Sequence, residues 1–239
     1  MTIRNMYTNM THKILIYSSL LSLLCLATGC AGPRILVPAP SSLMQRNEGV
    51  QTLKGITVEV TGEGWNADPE VYDEVTPIKI TIKNDSDSPL RISYSIFSLF
   101  DSEGNLSSVL PPYSIEEKMN EDAASSEFTC SGFYVAPYYS RYYPNMLRYE
   151  DPFFYDPIYN QHYYSCWKNN SIELPTKEMI NKALPEGVLW QKVTVSGYLY
   201  FEKVKESEKY RFRMDVIDIK TGVRLGEISI PMIVREDGN

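Results

Sequence analysis

Few side chains in this chain of 239 residues are of the kinds that do chemistry, and those few are badly spaced for it. Histidine occurs twice, at His12 and His162. A Ser-His-Asp or Cys-His arrangement must run through one of them, because imidazole is the side chain that exchanges protons near neutral pH. His162 stands among Tyr159, Tyr163 and Tyr164, where the expected role is a hydrogen-bonded aromatic filler. Zinc needs three or four ligands at close spacing, and Cys25, Cys30, Cys130 and Cys166 do not supply them. No G-x-G-x-x-G, P-loop or G-x-S-x-G pattern occurs. Asp101, Glu103 and Asn105 have the alternate spacing of a calcium loop, but the downstream glutamate is missing and a hairpin turn explains them better. Asp68, Glu70, Asp73 and Glu74 read as a solvated loop ahead of a strand. Only a two-carboxylate glycosidase, its acids drawn from distant strands, escapes this survey. The expectation is a chain that is not an enzyme and holds no metal or cofactor.

The cysteines carry the most information. Arg4 and Lys13 are the only fully charged residues of the first 29, and an apolar run from Ile14 to Leu26 follows them. That is the basic and apolar sequence of a secretory signal, too short to span a bilayer. It ends in Leu26-Ala27-Thr28-Gly29-Cys30. Here the chain resembles the lipobox of bacterial prolipoproteins, with Ala27 where leucine is commonest. The resemblance implies cleavage before Cys30 and a thioether-linked diacylglycerol on its sulfur, with further acylation giving stable anchoring. Ala31, in place of an aspartate that would signal inner-membrane retention, directs the expectation to the outer membrane. Residues 1–29 would then be signal, and Cys25 would leave with them. Cys130 and Cys166 remain, and one disulfide between them is expected in an exported domain, worth about 4 kcal/mol in the chain-entropy view. Two free thiols are the alternative.

Removing the signal, which holds two basic residues and no acidic one, takes the formal net charge from −7 to −9. With no basic stripe, a nucleic-acid partner is not expected, nor is electrostatic attachment to anionic lipid. The lipid on Cys30 would be the membrane contact.

Residues 30–50 hold Gly32-Pro33, Pro38-Ala39-Pro40 and Ser41-Ser42, a composition that predicts a flexible tether. Residues 51–239 predict a single domain. Ile56, Val58 and Val60 alternate with Thr57, Glu59 and Thr61; the same alternation runs through residues 78–83, 90–99 and 210–216, and further strands are predicted near 106–110, over 193–201 and around 225–234. Short polar turns between strands require antiparallel pairing. The count of about seven predicts an all-β fold, an immunoglobulin-like antiparallel β-sandwich. Pro231 predicts an edge or bulge in the last strand. One helix is expected over residues 177–184, capped by Thr176 and ended by Pro185 and Gly187. Its Met179, Ile180, Ala183 and Leu184 should cover an open end of the sandwich.

Val75-Thr76-Pro77, Pro89-Leu90-Arg91-Ile92, Leu110-Pro111-Pro112, Leu174-Pro175-Thr176, Ala183-Leu184-Pro185-Glu186-Gly187 and Gly197-Tyr198-Leu199-Tyr200-Phe201 together resemble a group of Gram-negative bacterial lipoproteins. The group has no assigned activity, so the resemblance implies fold and location and no mechanism.

An insert at about 113–172 is unlike the rest: ten of the 18 tyrosines lie between Phe133 and Tyr164, among several prolines. Long irregular loops in compact domains are functional or disordered. Tyrosine offers large, rigid, amphipathic area at low entropic cost. Tyr138, Tyr139, Tyr142, Tyr143, Tyr155, Tyr163, Tyr164 and Trp167 are therefore the candidate contact residues. The alternative is that these rings pack on the insert itself and lid the sandwich. The function expected is a lipid-anchored binding or structural module of the cell envelope that contacts a protein partner. A glycan partner, peptidoglycan or lipopolysaccharide, comes second, with Asp151, Asp156, Asn160 and Gln161 as polar groups near the rings. An envelope hydrolase is a distant third. If Cys30 is lipidated, cells fed labelled palmitate will incorporate it into the wild-type chain and not into Cys30→Ala; label in both, or in neither, would refute the assignment.

Overall fold

The computed structural model describes residues 33–40, 48–61, 65–66, 69–112, 127–137, 140, 142–149, 177–204 and 209–236. Among them the chain is all-β with antiparallel pairing throughout its named ladders. The strands are β1 (Arg34–Pro38), β2 (Glu48–Leu53), β3 (Ile56–Thr61), β4 (Val75–Asn84), β5 (Leu90–Ile92), β6 (Phe97–Asp101), β7 (Leu106–Leu110), β8 (Phe133–Val135), β9 (Gly187–Leu189), β10 (Val193–Glu202), β11 (Lys209–Ile217) and β12 (Arg224–Glu236). Among the described residues there are two short α-helices, α1 (Val71–Glu74) and α2 (Lys177–Lys182). No helix of the described residues is long and apolar enough to cross a membrane.

Nine of these strands form one sheet in the order β1-β12-β11-β6-β7-β10-β4-β3-β2, and β5-β9-β8 form a second, small one. β7 is the corner. Its first residues pair with β6 and its last two, Val109 and Leu110, with Phe201 and Tyr200 of β10. A strand that changes partners partway along is how one sheet folds over into two facing layers. The sheet curls until β2 comes against β12: Ser229 N donates to Gln51 Oε1 at 2.6 Å. A Cβ at Gly49 would stand 2.4 Å from Ile230 Cγ2, so this approach requires the bare backbone of glycine. The seven-strand expectation is therefore exceeded, and the layers are continuous and nearly closed like a barrel.

Alternation does what the sequence indicates in β3, where Ile56, Val58 and Val60 are buried between half-exposed neighbours. In β11, Tyr210, Phe212, Met214 and Val216 are buried while the charged residues point outward. There Arg213 pairs with Glu227, and Arg224 with Asp215 and Glu227, a half-exposed network at the solvent face. Pro231 sits in β12 where β1 gives out. Its carbonyl accepts Ala39 N at 2.9 Å, so its missing N–H falls beyond the end of β1 and costs no ladder bond.

Two expectations are corrected. Arg34–Pro38, read as tether, is β1, paired along its whole length with Glu236 to Met232, and Glu48–Leu53 is β2. The strand predicted over residues 90–99 is broken: Tyr94–Ile96 is a 3-10 turn, and the chain passes there from the small sheet to the large one. Tyr94 N donates to the Glu186 carboxylate at 2.5 Å instead of to a neighbouring strand.

Asn84 joins the two sheets. Fully buried, it donates from Nδ2 to the carbonyls of Ser88 at 2.9 Å, Leu189 at 3.2 Å and Trp190 at 3.2 Å, and its Oδ1 accepts from Ser86 N and Oγ. Asn84→Asp, which replaces the donor with an acceptor facing three carbonyls, should cost about 3 kcal/mol or more in urea unfolding. A loss under about 0.5 kcal/mol would show that the junction does not depend on this amide.

Candidate functional site

The sequence-predicted contact residues divide. Tyr138, Tyr139, Tyr155, Tyr163, Tyr164 and Trp167 lie outside the described residues, as do Cys30, Cys166, His162 and Thr176. Tyr142 and Tyr143 are described, and both are buried, at 7% and 0% exposure. They belong to the main core, with Tyr143 edge-on to Phe128 at 6.0 Å. As placed, these two rings offer a partner no surface; they do the packing that was the alternative reading of the insert. Cys130 is half-buried with its Sγ 3.4 Å from Thr194 O, and as a thiol its pKa is raised by burial; the disulfide partner expected for it, Cys166, lies outside the described residues.

What holds the base of the insert is a carboxylate that the sequence did not single out. Glu186 follows α2 in Pro185-Glu186-Gly187, a run that looks like an exposed helix stop, yet it is fully buried. Its carboxylate receives Tyr94 N, its backbone carbonyl receives Ala136 N at 2.9 Å, and its charge bears on the Tyr143 phenol. A buried carboxylate is tolerable only with such partners. One residue thus ties the 3-10 turn, the segment after α2 and the insert at Ala136 together. Gly187 must be glycine here, because a Cβ would meet Tyr134 O at 2.1 Å.

The apolar face of α2 is buried as expected, although the helix ends at Lys182, short of the predicted residue 184. Met179, Ile180, Ala183 and Leu184 are all buried, and the Tyr94 hydroxyl donates to Leu184 O at 2.8 Å. Met179 and Ala183 join a second cluster with Trp65, Val71, Tyr72, Tyr198 and Tyr200. There the Tyr200 hydroxyl donates to Met179 O at 2.8 Å, and Trp65 meets Tyr198 edge-on at 5.1 Å.

Other rings among the described residues do reach the surface. Tyr134 of β8 is half-buried and lies 5.8 Å from the Trp190 ring and 6.5 Å from Tyr149. Trp190, just past β9, is 43% exposed, and Leu147, two residues before Tyr149, is 68% exposed. Arg148 is exposed beside them. Trp190 is pinned from behind: its N–H donates to Gly132 O at 3.0 Å and its carbonyl accepts from Asn84. Trp, Tyr, Leu and Arg thus share a surface at and beside the small sheet, with the backbone of Trp190 and Tyr149 hydrogen-bonded. Trp190 gave no periodic signal, since it follows a strand of three residues.

The Asp101 region is the hairpin turn expected. Asp101 Oδ1 accepts from Glu103 N at 2.9 Å and Asn105 N at 2.8 Å, and the Asn105 side chain leads the bonds that lower its pKa. No cluster of three or more potential metal ligands occurs among the described residues. Compared with known families, curated proteins and solved structures, the chain matches none.

The buried phenols make alkaline stability a test of this arrangement. Burial first, then the Glu186 charge, raises Tyr143 well above its ordinary pKa of 10.0; burial also raises Tyr200. Both groups favour the neutral form in the folded chain, so their contribution is whole below about pH 10 and lost as the pH climbs beyond it. Phenolate absorbance from these rings should therefore appear together with loss of β circular dichroism. Complete tyrosine titration at ordinary pH with the fold intact would contradict their burial.

Proposed function

We propose that this chain is a lipid-anchored protein of the bacterial outer membrane, held by acyl chains on Cys30, and that its domain is a non-catalytic module that binds another envelope protein. The observation that carries the reading is the surface of Trp190, Tyr134, Tyr149 and Leu147 at and beside the small sheet. Trp, Tyr and Arg dominate binding energy at protein interfaces, and rigid rings lose little entropy when covered. The contact set thus moves from the buried Tyr142 and Tyr143 to these residues, with Tyr138, Tyr139, Tyr155, Tyr163, Tyr164 and Trp167 of the same insert kept as candidates. Leu147 and Arg148 flank the rings, which suits a protein better than a glycan, whose sites want carboxylates or amides there. Peptidoglycan or lipopolysaccharide remains the second reading. Two further parts belong to the proposal: a Cys130–Cys166 disulfide within the insert, and an immunoglobulin-like sandwich arrangement for the layered sheet, supported by the way β7 passes from one layer to the other.

In cells, a photoreactive residue at Trp190 should give one discrete protein adduct that the same residue at Leu106, 58% exposed and far along the sheet, does not give. Trp190→Ala should weaken binding of the captured partner by about 30-fold, the effect of losing a hot-spot ring worth about 2 kcal/mol. Adducts within the chain alone would sink the protein reading, and retention on a peptidoglycan column lost in Trp190→Ala would establish the glycan one.

A further inference from the structure

A tether of some twenty residues was expected between Cys30 and the domain, and the structure removes it. β1 begins at Arg34 and is paired there with Glu236. Only Ala31, Gly32 and Pro33 separate Cys30 from that ladder. Four residue steps span at most about 14 Å even when fully extended. This inference rests on the lipid-anchored reading: with acyl chains on Cys30, the first residue of β1 cannot leave the headgroup layer by more than that length.

We infer that the end of the sheet at which β1 starts is a membrane-contacting surface, seated against phospholipid headgroups, and that the aromatic surface stands away from the bilayer at the opposite end. The pairings fix which residues share the first end. Arg34 lies opposite Glu236, Lys209 opposite Ile233, and Tyr210 opposite Asp101, so the turn from Asp101 to Asn105 and the exposed Leu106 belong there. From this end β12 runs back to Arg224, which pairs with Ile217. Asp218 then bridges Leu90, and Leu90 pairs with Leu189, the neighbour of Trp190. Thirteen residues of strand at about 3.3 Å each put about 40 Å between the two ends.

Charge does not create this contact. The membrane end mixes Arg34, Lys203 and Lys209 with Asp73, Glu74, Asp101, Glu103 and Glu202, so these residues bring no net positive charge to attract anionic headgroups. The short leash does it, by holding the surface at high effective concentration against the lipid. The contact is accordingly insensitive to salt, unlike a polybasic attachment.

The test uses the full chain in its own membrane. A photoreactive residue replaces Leu106 at the membrane end or Val223, 55% exposed, in the turn at the far end. Palmitate incorporation and phospholipid adducts are read on the same purified protein. The expected result is several-fold more phospholipid adduct from position 106 than from 223, unchanged by salt. The difference should vanish when about 30 Gly/Ser residues, reaching about 30 Å on average, are inserted after Gly32. A palmitate-bearing chain with equal adducts at both positions, or one that ignores the insertion, overturns the inference and leaves the anchor standing. A chain with no lipid on Cys30 overturns the anchored reading and this inference with it.

Discussion

The strand β10 has to hide both of its faces, and the rest of the domain follows from that demand. Val195, Leu199 and Phe201 enter the main core, while Tyr198 and Tyr200 on the other side enter a second cluster. An antiparallel sheet commonly leaves one face to water. This one cannot do so at the end of β10, so α2, Trp65 and the turn of α1 are drawn over it. The covering is polar as well as apolar: Tyr200 bonds Met179 O, Tyr72 accepts Trp65 N at 2.7 Å, and Lys182 places its ammonium 5.1 Å from the Trp65 ring. Gly197 makes the approach feasible, because a Cβ would lie 2.6 Å from the backbone of Leu184. From Leu184 the chain must continue inward, and that carries Glu186 into the interior.

Much of this was legible in the sequence where a long strand has one dry face. β3, β4, β11 and β12 announce themselves by alternation, and α2 by the spacing of its buried residues. β10 alternates only in its first half; beyond Gly197 the run Tyr-Leu-Tyr-Phe has no polar partner, a sign of two buried faces. What could not be read has physical causes. β1 is a continuous apolar run beside prolines and lacks a period. β8 and β9 are three residues each, too short for a pattern to repeat. Ser93 to Ile96 keep the alternation of a strand while the backbone turns, because the competing partner, Glu186, is more than ninety residues away in sequence.

Tyrosine has two employments here that composition alone does not separate. Tyr94, Tyr143 and Tyr200 are at most 1% exposed and hand their ring area to the core, and hydroxyls of Tyr94 and Tyr200 satisfy carbonyls at the end of α2. Tyr134 and Tyr149 stand at the margin with Trp190. The same amphipathic ring suits both tasks. Position relative to the small sheet decides which one each performs, and Asn84 fixes that sheet by gripping the two carbonyls that precede Gln191.

The pairing of β1 with β12 also has a mechanical side. A pull entering at Arg34 and resisted at the opposite end acts along the strand axis, so the five residue pairs of the ladder are loaded in shear and must yield together. Were β1 reversed, the same force would unzip the pairs one at a time. The geometry therefore lets a short edge strand serve as a load-bearing splice between whatever tugs on the first residue and the body of the domain.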